Sequence, residues 1–170
     1  VQGRHRDGEE VSSLFFLAGG LGAMDGLDGR AVTPAPSNMT VIPTEVWENR
    51  TSMTIEKRAI LPDTGGVGQW QGGSGQEVVF RNDTGNMLEF ALMGQRTQLA
   101  AKGMAGGGDG SLRSYQVNGT VVDPKARVEL APGDRITMRE AGGGGYGDPA
   151  LRSPEAIPVN PQSGCVTEDN

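Results

Sequence analysis

A chain of 170 residues with a net charge of −6 has the length of one domain and lacks the basic face that nucleic-acid binding needs. Apolar side chains make up only 35% of it, whereas Gly supplies 28 residues, about twice the usual share of ~7%. The longest apolar stretch, LFFLAGGLGAM (14–24), is too short and too rich in Gly to span a bilayer. One Cys (Cys165) and one His (His5) exclude an internal disulfide and a Cys/His zinc site built from this chain alone. A lone Cys fits a reducing cytoplasm, and no signal-peptide n-region or initiator Met opens the chain. The Asn-x-Thr sequons at Asn38, Asn49, Asn82 and Asn118 are therefore read as turn residues, and the chain as cut or processed.

In chain order the readable elements are strands. VSSLFFL (11–17) comes first, then TVIPTEVW (40–47) and TSMTIEKRAI (51–60), rich in β-branched residues. GQEVVFRN (75–82) and NMLEFALM (86–93) flank DTG, which reads as a hairpin turn. YQVNGTVV (115–122) carries Asn118-Gly119 between two apolar runs, the strongest short hairpin signal in the chain. ARVELAPGDRITMRE (126–140) reads as strand, Pro-Gly turn and strand, with Val128, Leu130, Ile136 and Met138 on inward faces. No segment of ten or more residues carries a clean helical period. The expectation is a mainly β, Gly-rich sandwich or barrel-like domain over 1–150, with an extended, Pro-containing tail over 151–170, normally part of a larger chain.

Several catalytic signatures match by letters and fail by context. Residues 142–147 satisfy G-x-G-x-x-G after a strand at 135–139, but Pro149 and Pro154 break the helix that a dinucleotide site requires. AGGGDGS (105–111) and GGVGQWQGGSGQ (65–76) lack the Lys-Ser/Thr ending of a P-loop. A Ser-His-Asp or Cys-His site would have to use His5, at the very end of the chain. Asp25, Asp28, Asp63, Asp109 and Asp148 neighbour glycines, as turn-forming aspartates do when their carboxylates bond backbone N–H groups. Single aromatics interrupt the glycines, Trp70 in GQWQGG and Tyr146 in GGGGYGDP, so these are shaped turns anchored by a ring rather than linkers. Successive N–H groups there could also form an anion-binding nest.

GGGGYGDP followed by LRSPEAIPVNPQSGCVT resembles the end of hydantoinase B-type proteins. These include the B-type component of N-methylhydantoinase, the matching half of ATP-dependent 5-oxoprolinase, and acetone and acetophenone carboxylase subunits. FFLAGGLGAMDGLDGRAVTPAPSN, PTEVWE and LPDTGGVGQWQGGSGQ are similar to family segments in the same order, with Thr64 for Ser and Gln71 for Arg in the last. KGMAGGGDGS, VNG and LAPGDRI follow in place. The resemblance implies a segment of an ATP-dependent cyclic-amide hydrolase that supplies scaffold and subunit contacts. Its partners would be the remaining N-terminal part of the B-type subunit and a hydantoinase A-type subunit. ATP/Mg and a divalent metal would serve the full enzyme, with no cofactor held by this chain. A ketone carboxylase segment and a non-catalytic assembly module remain alternatives. The candidate loop-shaping or substrate-contacting residues are Asp63, Gly65, Gly66, Gly142, Gly143, Gly144, Gly145, Tyr146 and Asp148.

Overall fold

Alternating apolar residues build two antiparallel sheets that face each other across one core. The structure, a computed structural model, describes residues 1–35, 37, 39 and 42–156. One sheet has the order β2 (Glu10–Ser12), β1 (Gln2–Arg4), β5 (Leu88–Ala91), β8 (Arg127–Leu130). The other has the order β3 (Met53–Ile60), β4 (Gln76–Asn82), β9 (Arg135–Arg139), β6 (Ser114–Val117), β7 (Thr120–Val122). Neither sheet closes on itself, so the expected sandwich is present and a barrel is not.

The inner faces meet as the period of two requires. Leu88, Phe90 and Leu130 come from the first sheet, and Met53, Val78, Phe80, Tyr115 and Ile136 from the second. Phe80 lies at the centre of an aromatic cluster, its ring 5.0 Å from Phe15, 6.0 Å from Trp47 and 6.4 Å from Phe90. Burial of each such ring stabilises the fold by roughly 1.5–3 kcal/mol. Phe15 reaches the cluster from beyond the strand: β2 ends at Ser12, Ser13 still exchanges backbone bonds with Val1, and residues 14–17 lie outside any strand. The alternation persists there, with Phe15 and Leu17 turned inward and Leu14 and Phe16 exposed.

Three sequence expectations change. Residues 44–47, read as the end of a strand, belong to helix α1 (Thr44–Thr51), while Thr40 and Val41 lie outside the described residues. Pro43 caps its N-terminus with φ −55°, Glu45 sits in the first turn and Arg50 in the last, all favourable to a helix. Ser52, at φ 55°, ends the helix by donating its N–H to Glu48 O. Second, DTG is not a hairpin turn. Both edges of β4 are already paired, to β3 and to β9, so the chain crosses to the other sheet before β5. Third, Asn49 lies on α1 rather than in a turn, and Asn38 is outside the described residues.

Asn82 pins that crossing. Its amide donates to Asn86 O at 2.8 Å and Leu130 O at 2.9 Å, and its Oδ1 accepts from Thr84 N–H and Oγ1. Its backbone bonds Asp134 O and Gly133 N–H, so one buried residue also holds the second crossing, from β8 to β9. The Asn118-Gly119 hairpin is as expected, with φ 48° and 82° at its two turn residues. Past β9, Pro149–Leu151 and Pro154–Ala156 form single 3-10 turns; residues 157–170, with Cys165, lie outside the described residues.

Candidate functional site

Beside the sandwich, glycine-rich segments from five parts of the chain pack backbone against backbone. Residues 142–145 run through the middle. A Cβ on Gly142 would lie 1.9 Å from Thr64 O, on Gly143 1.9 Å from Leu21 O, on Gly144 2.3 Å from Lys102 O, and on Gly145 2.1 Å from Val67 O. Successive residues thus face three different neighbours, and Gly142 and Gly145, three apart, face the same one. A repeat of three is the period of a polyproline II helix, whose backbone makes no internal hydrogen bonds and must find partners outside itself. Gly65 and Gly66 are equally enclosed, against Gly72 O at 1.9 Å and Gly108 O at 2.1 Å.

The N–H groups of Gly143, Gly145, Tyr146 and Gly147 donate to the carbonyls of Gly73, Gly108, Trp70 and Met104, each at 2.9 Å, and Gly142 N–H donates to Ser111 Oγ at 3.0 Å. In the other direction Gly143 O accepts from Gly66 N–H, Gly144 O from Ala23 N–H and Gly145 O from Met104 N–H. The anion-nest reading therefore fails for these residues, because their N–H groups point into the bundle. Tyr146 is partly buried, and its backbone pairs with that of Trp70 through two bonds of 2.9 Å.

The structure thus unites Gly65, Gly66, Gly142, Gly143, Gly144, Gly145 and Tyr146 in one element. Asp63 lies two residues before it in the left-handed region at φ 57°. Asp148 stands exposed at its exit and caps the first 3-10 turn by accepting from Ala150 N–H at 2.9 Å. Two more of the aspartates beside glycine act on backbone as expected: Asp28 accepts from Gln71 N–H and Asp109 from Gly103 N–H. Asp28 also takes a two-pronged ion pair from Arg152, both contacts 2.9 Å, which ties the bundle to the 3-10 turns. Among the described residues no three His, Cys, Asp or Glu side chains could hold a metal ion together, and no helix is long and apolar enough to cross a membrane.

Where bundle and sandwich join, a polar cluster that the sequence reading missed lines an apolar cavity of about 350 Å³. Glu140, whose side chain is fully buried, accepts from Tyr115 Oη at 3.0 Å and meets the Arg113 guanidinium in an ion pair. Phe15, Leu17, Leu92 and Met138 form apolar wall around it. The signal was available: Ile136, Met138 and Glu140 share a parity, so the strand's own alternation carries a carboxylate to the core face. Burial raises the Glu140 carboxyl above its ordinary value, against the opposing pull of Arg113 and Tyr115. Burial, then the charge of Glu140, raises the Tyr115 phenol too, so it stays a donor.

The fold also occurs within larger solved proteins. The chain superposes on nucleotide-free acetone carboxylase with a TM-score of 0.78 at 20% identity, covering 99% of this chain and 28% of that one. It superposes on ATP-dependent caprolactamase from Pseudomonas jessenii with a TM-score of 0.75 at 24% identity, covering 90% of this chain and 28% of that one. In sequence it is 32% identical over 146 residues to a 5-oxoprolinase of Pestalotiopsis fici, 78% of this chain and 11% of the relative. Residues 1–149 match the family profile described as hydantoinase B/oxoprolinase, and the chain belongs to that family. It spans only a small part of the relatives' length.

Tolerance of a methyl group should differ sharply between glycines. Gly143→Ala drives that group into Leu21 O and should destabilise the protein by more than about 4 kcal/mol or leave it insoluble. Gly22→Ala, whose nearest neighbour would be 3.7 Å away, should stay within about 1 kcal/mol of wild type in denaturant titration. Stability should also depend on pH through two carboxyls. With Glu140 raised, the native state keeps a proton that the unfolded chain releases above 4.5, so stability from this group is present below that pH and falls as pH rises. Glu140→Gln should therefore gain on wild type in chemical unfolding as pH rises from 4.5. Asp28→Asn should show the opposite sense. Burial opposes ionisation of Asp28, but Arg152 and the Gln71 N–H outweigh it and hold the carboxyl below 3.8, so its contribution is lost as pH falls.

Proposed function

We propose that this chain is the β-rich segment of an ATP-dependent cyclic-amide hydrolase and supplies its scaffold and subunit contacts. The observation that carries this reading is membership of the hydantoinase B/oxoprolinase family together with 32% identity to a 5-oxoprolinase. In the reaction the resemblance implies, ATP transfers its terminal phosphoryl group to the amide oxygen, water adds at the activated carbon, and phosphate and the ring nitrogen leave. The products are the opened amino acid, ADP and phosphate. The N–H groups of Gly66, Gly143, Gly145 and Gly147 are bonded within the bundle, and among the described residues no three His, Cys, Asp or Glu side chains come together. In this reading the nucleotide and the metal are held by the rest of the B-type subunit and by an A-type subunit, in a cytoplasmic complex. Leu14 and Phe16, 60% and 59% exposed, and Met93, 70% exposed, offer apolar surface for those contacts. The candidate loops at Asp63, Gly65, Gly66, Gly142–Gly145, Tyr146 and Asp148 serve to shape that scaffold rather than to touch substrate.

The likeness to acetone carboxylase over 99% of this chain favours a second reading, a ketone carboxylase segment. The purified complete complex, supplied with ATP and either 5-oxoproline, a hydantoin, a lactam, or a ketone plus bicarbonate, separates the two. Ring opening coupled to phosphate release is expected with a cyclic amide. Turnover of the ketone alone would overturn the hydrolase reading.

A further inference from the structure

Asn118-Gly119 is the one Asn-Gly pair in the sequence, and forming the turn between β6 and β7 does not account for what its side chain does. β6 pairs with β9 as far as Val117, opposite Ile136. One residue on, Asn118 N–H still donates to Arg135 O at 2.9 Å. Arg135 N–H, however, donates to Asn118 Oδ1 rather than to backbone, also at 2.9 Å. The other end of the amide, Nδ2, donates to Asp134 Oδ1 at 2.8 Å. Asp134 in turn accepts from Ala131 N–H through Oδ2 at 2.8 Å, and its backbone carbonyl accepts from Asn82 N–H. The Asn118 side chain therefore clamps the β6–β7 hairpin to the crossing from β8 to β9.

An asparagine amide is also the starting point of a spontaneous reaction. The peptide nitrogen of the next residue gives up its proton and attacks the side-chain carbonyl carbon, ammonia leaves, and a succinimide ring closes. Water then opens the ring to aspartate or isoaspartate. Gly119 hinders this least: it is exposed, it carries no side chain, and a Cβ there would meet nothing within 4 Å. The clamp opposes it. Closing the ring carries Cγ onto Gly119 N and draws Oδ1 and Nδ2 off the partners that hold them. We propose that Asn118 is a deamidation site gated by Asp134, and that the reaction is a one-way release of the hairpin. The product replaces the Nδ2 donor by a carboxylate oxygen facing Asp134 Oδ1, and like charges at hydrogen-bond distance repel. An attraction between hairpin and crossing thus becomes a repulsion, at the end of the sandwich that Asn82 ties.

The test incubates the full-length protein in mildly alkaline buffer and follows residue 118 by peptide mapping that separates asparagine from its aspartyl and isoaspartyl products. Native wild type should react at least about tenfold more slowly than the same chain unfolded in urea, because the reaction waits on local opening. Asp134→Ala, which removes one partner of the amide, should speed the native reaction at least about threefold. Asn118→Asp stands in for the aspartyl product and should quicken hydrogen exchange at the amides of residues 118 and 135. Adding Asp134→Asn sets a donor against the carboxylate again and should restore slow exchange. Equal rates in native and unfolded wild type, a folded Asp134→Ala protein as slow as wild type, or quick exchange that Asp134→Asn does not reverse would each overturn the proposal. If Asp134→Ala does not fold, the wild-type rate ratio and the exchange rescue decide. None of these readouts involves ATP or a cyclic amide, so the outcome is separate from that of the enzymatic reading.

Discussion

The absence of side chains in the middle of the glycine bundle is the constraint on which the rest of the molecule depends. Backbones there approach so closely that a Cβ would meet a carbonyl at about 2 Å on residue after residue. Ordinary cores gain stability by interlocking side chains. This one gains it by matching peptide N–H to peptide C=O between segments far apart in sequence, because a chain with a three-residue repeat cannot match them internally. Each segment is thereby fixed by neighbours on several sides. Gly, which sacrifices the most conformational freedom on folding, is tolerated because nothing larger fits.

The sandwich extends that frame. β9 leads through Glu140 and Ala141 into Gly142, and β4 begins just after Gly75, whose space is bounded by Glu140 O. Two adjacent inner strands of one sheet therefore emerge side by side from the bundle. At their far end Asn82 holds both crossings to the second sheet, so the sandwich is tied at the bundle by glycine and at the opposite end by one amide. The Arg113–Glu140–Tyr115 cluster lies at the first of these ties. A buried ion pair gives little net stability on its own.

How much of this could be read from the residues depended on the range of the interaction. The Asn118-Gly119 hairpin was legible because a two-residue turn with positive φ at both positions has its own local chemistry. The faces of β8 and β9 were legible from alternation at Val128, Leu130, Ile136 and Met138. Helix α1 was not, because Val46 and Trp47 suit a strand equally well and eight residues carry too little period to decide. The allocation of strands to sheets was hidden too, since β4 pairs with strands on either side of it in space that lie far apart in sequence. The glycines announced the family and the location of a shaped element. That Gly142 and Gly145 face one neighbour while Gly143 and Gly144 face two others depends on Leu21, Thr64, Val67 and Lys102, which no local pattern connects. Glu140 was the missed opportunity, a charged residue standing in register with two core positions.

Amide hydrogen exchange on the folded protein tests the central claim most directly. If the bundle is a backbone-bonded core, the N–H groups of Gly66, Gly73, Gly143 and Gly145 should exchange as slowly as those of Val78 and Phe80 in the sheet. Exchange of those glycines as fast as that of Gly119, in an open turn, would contradict it.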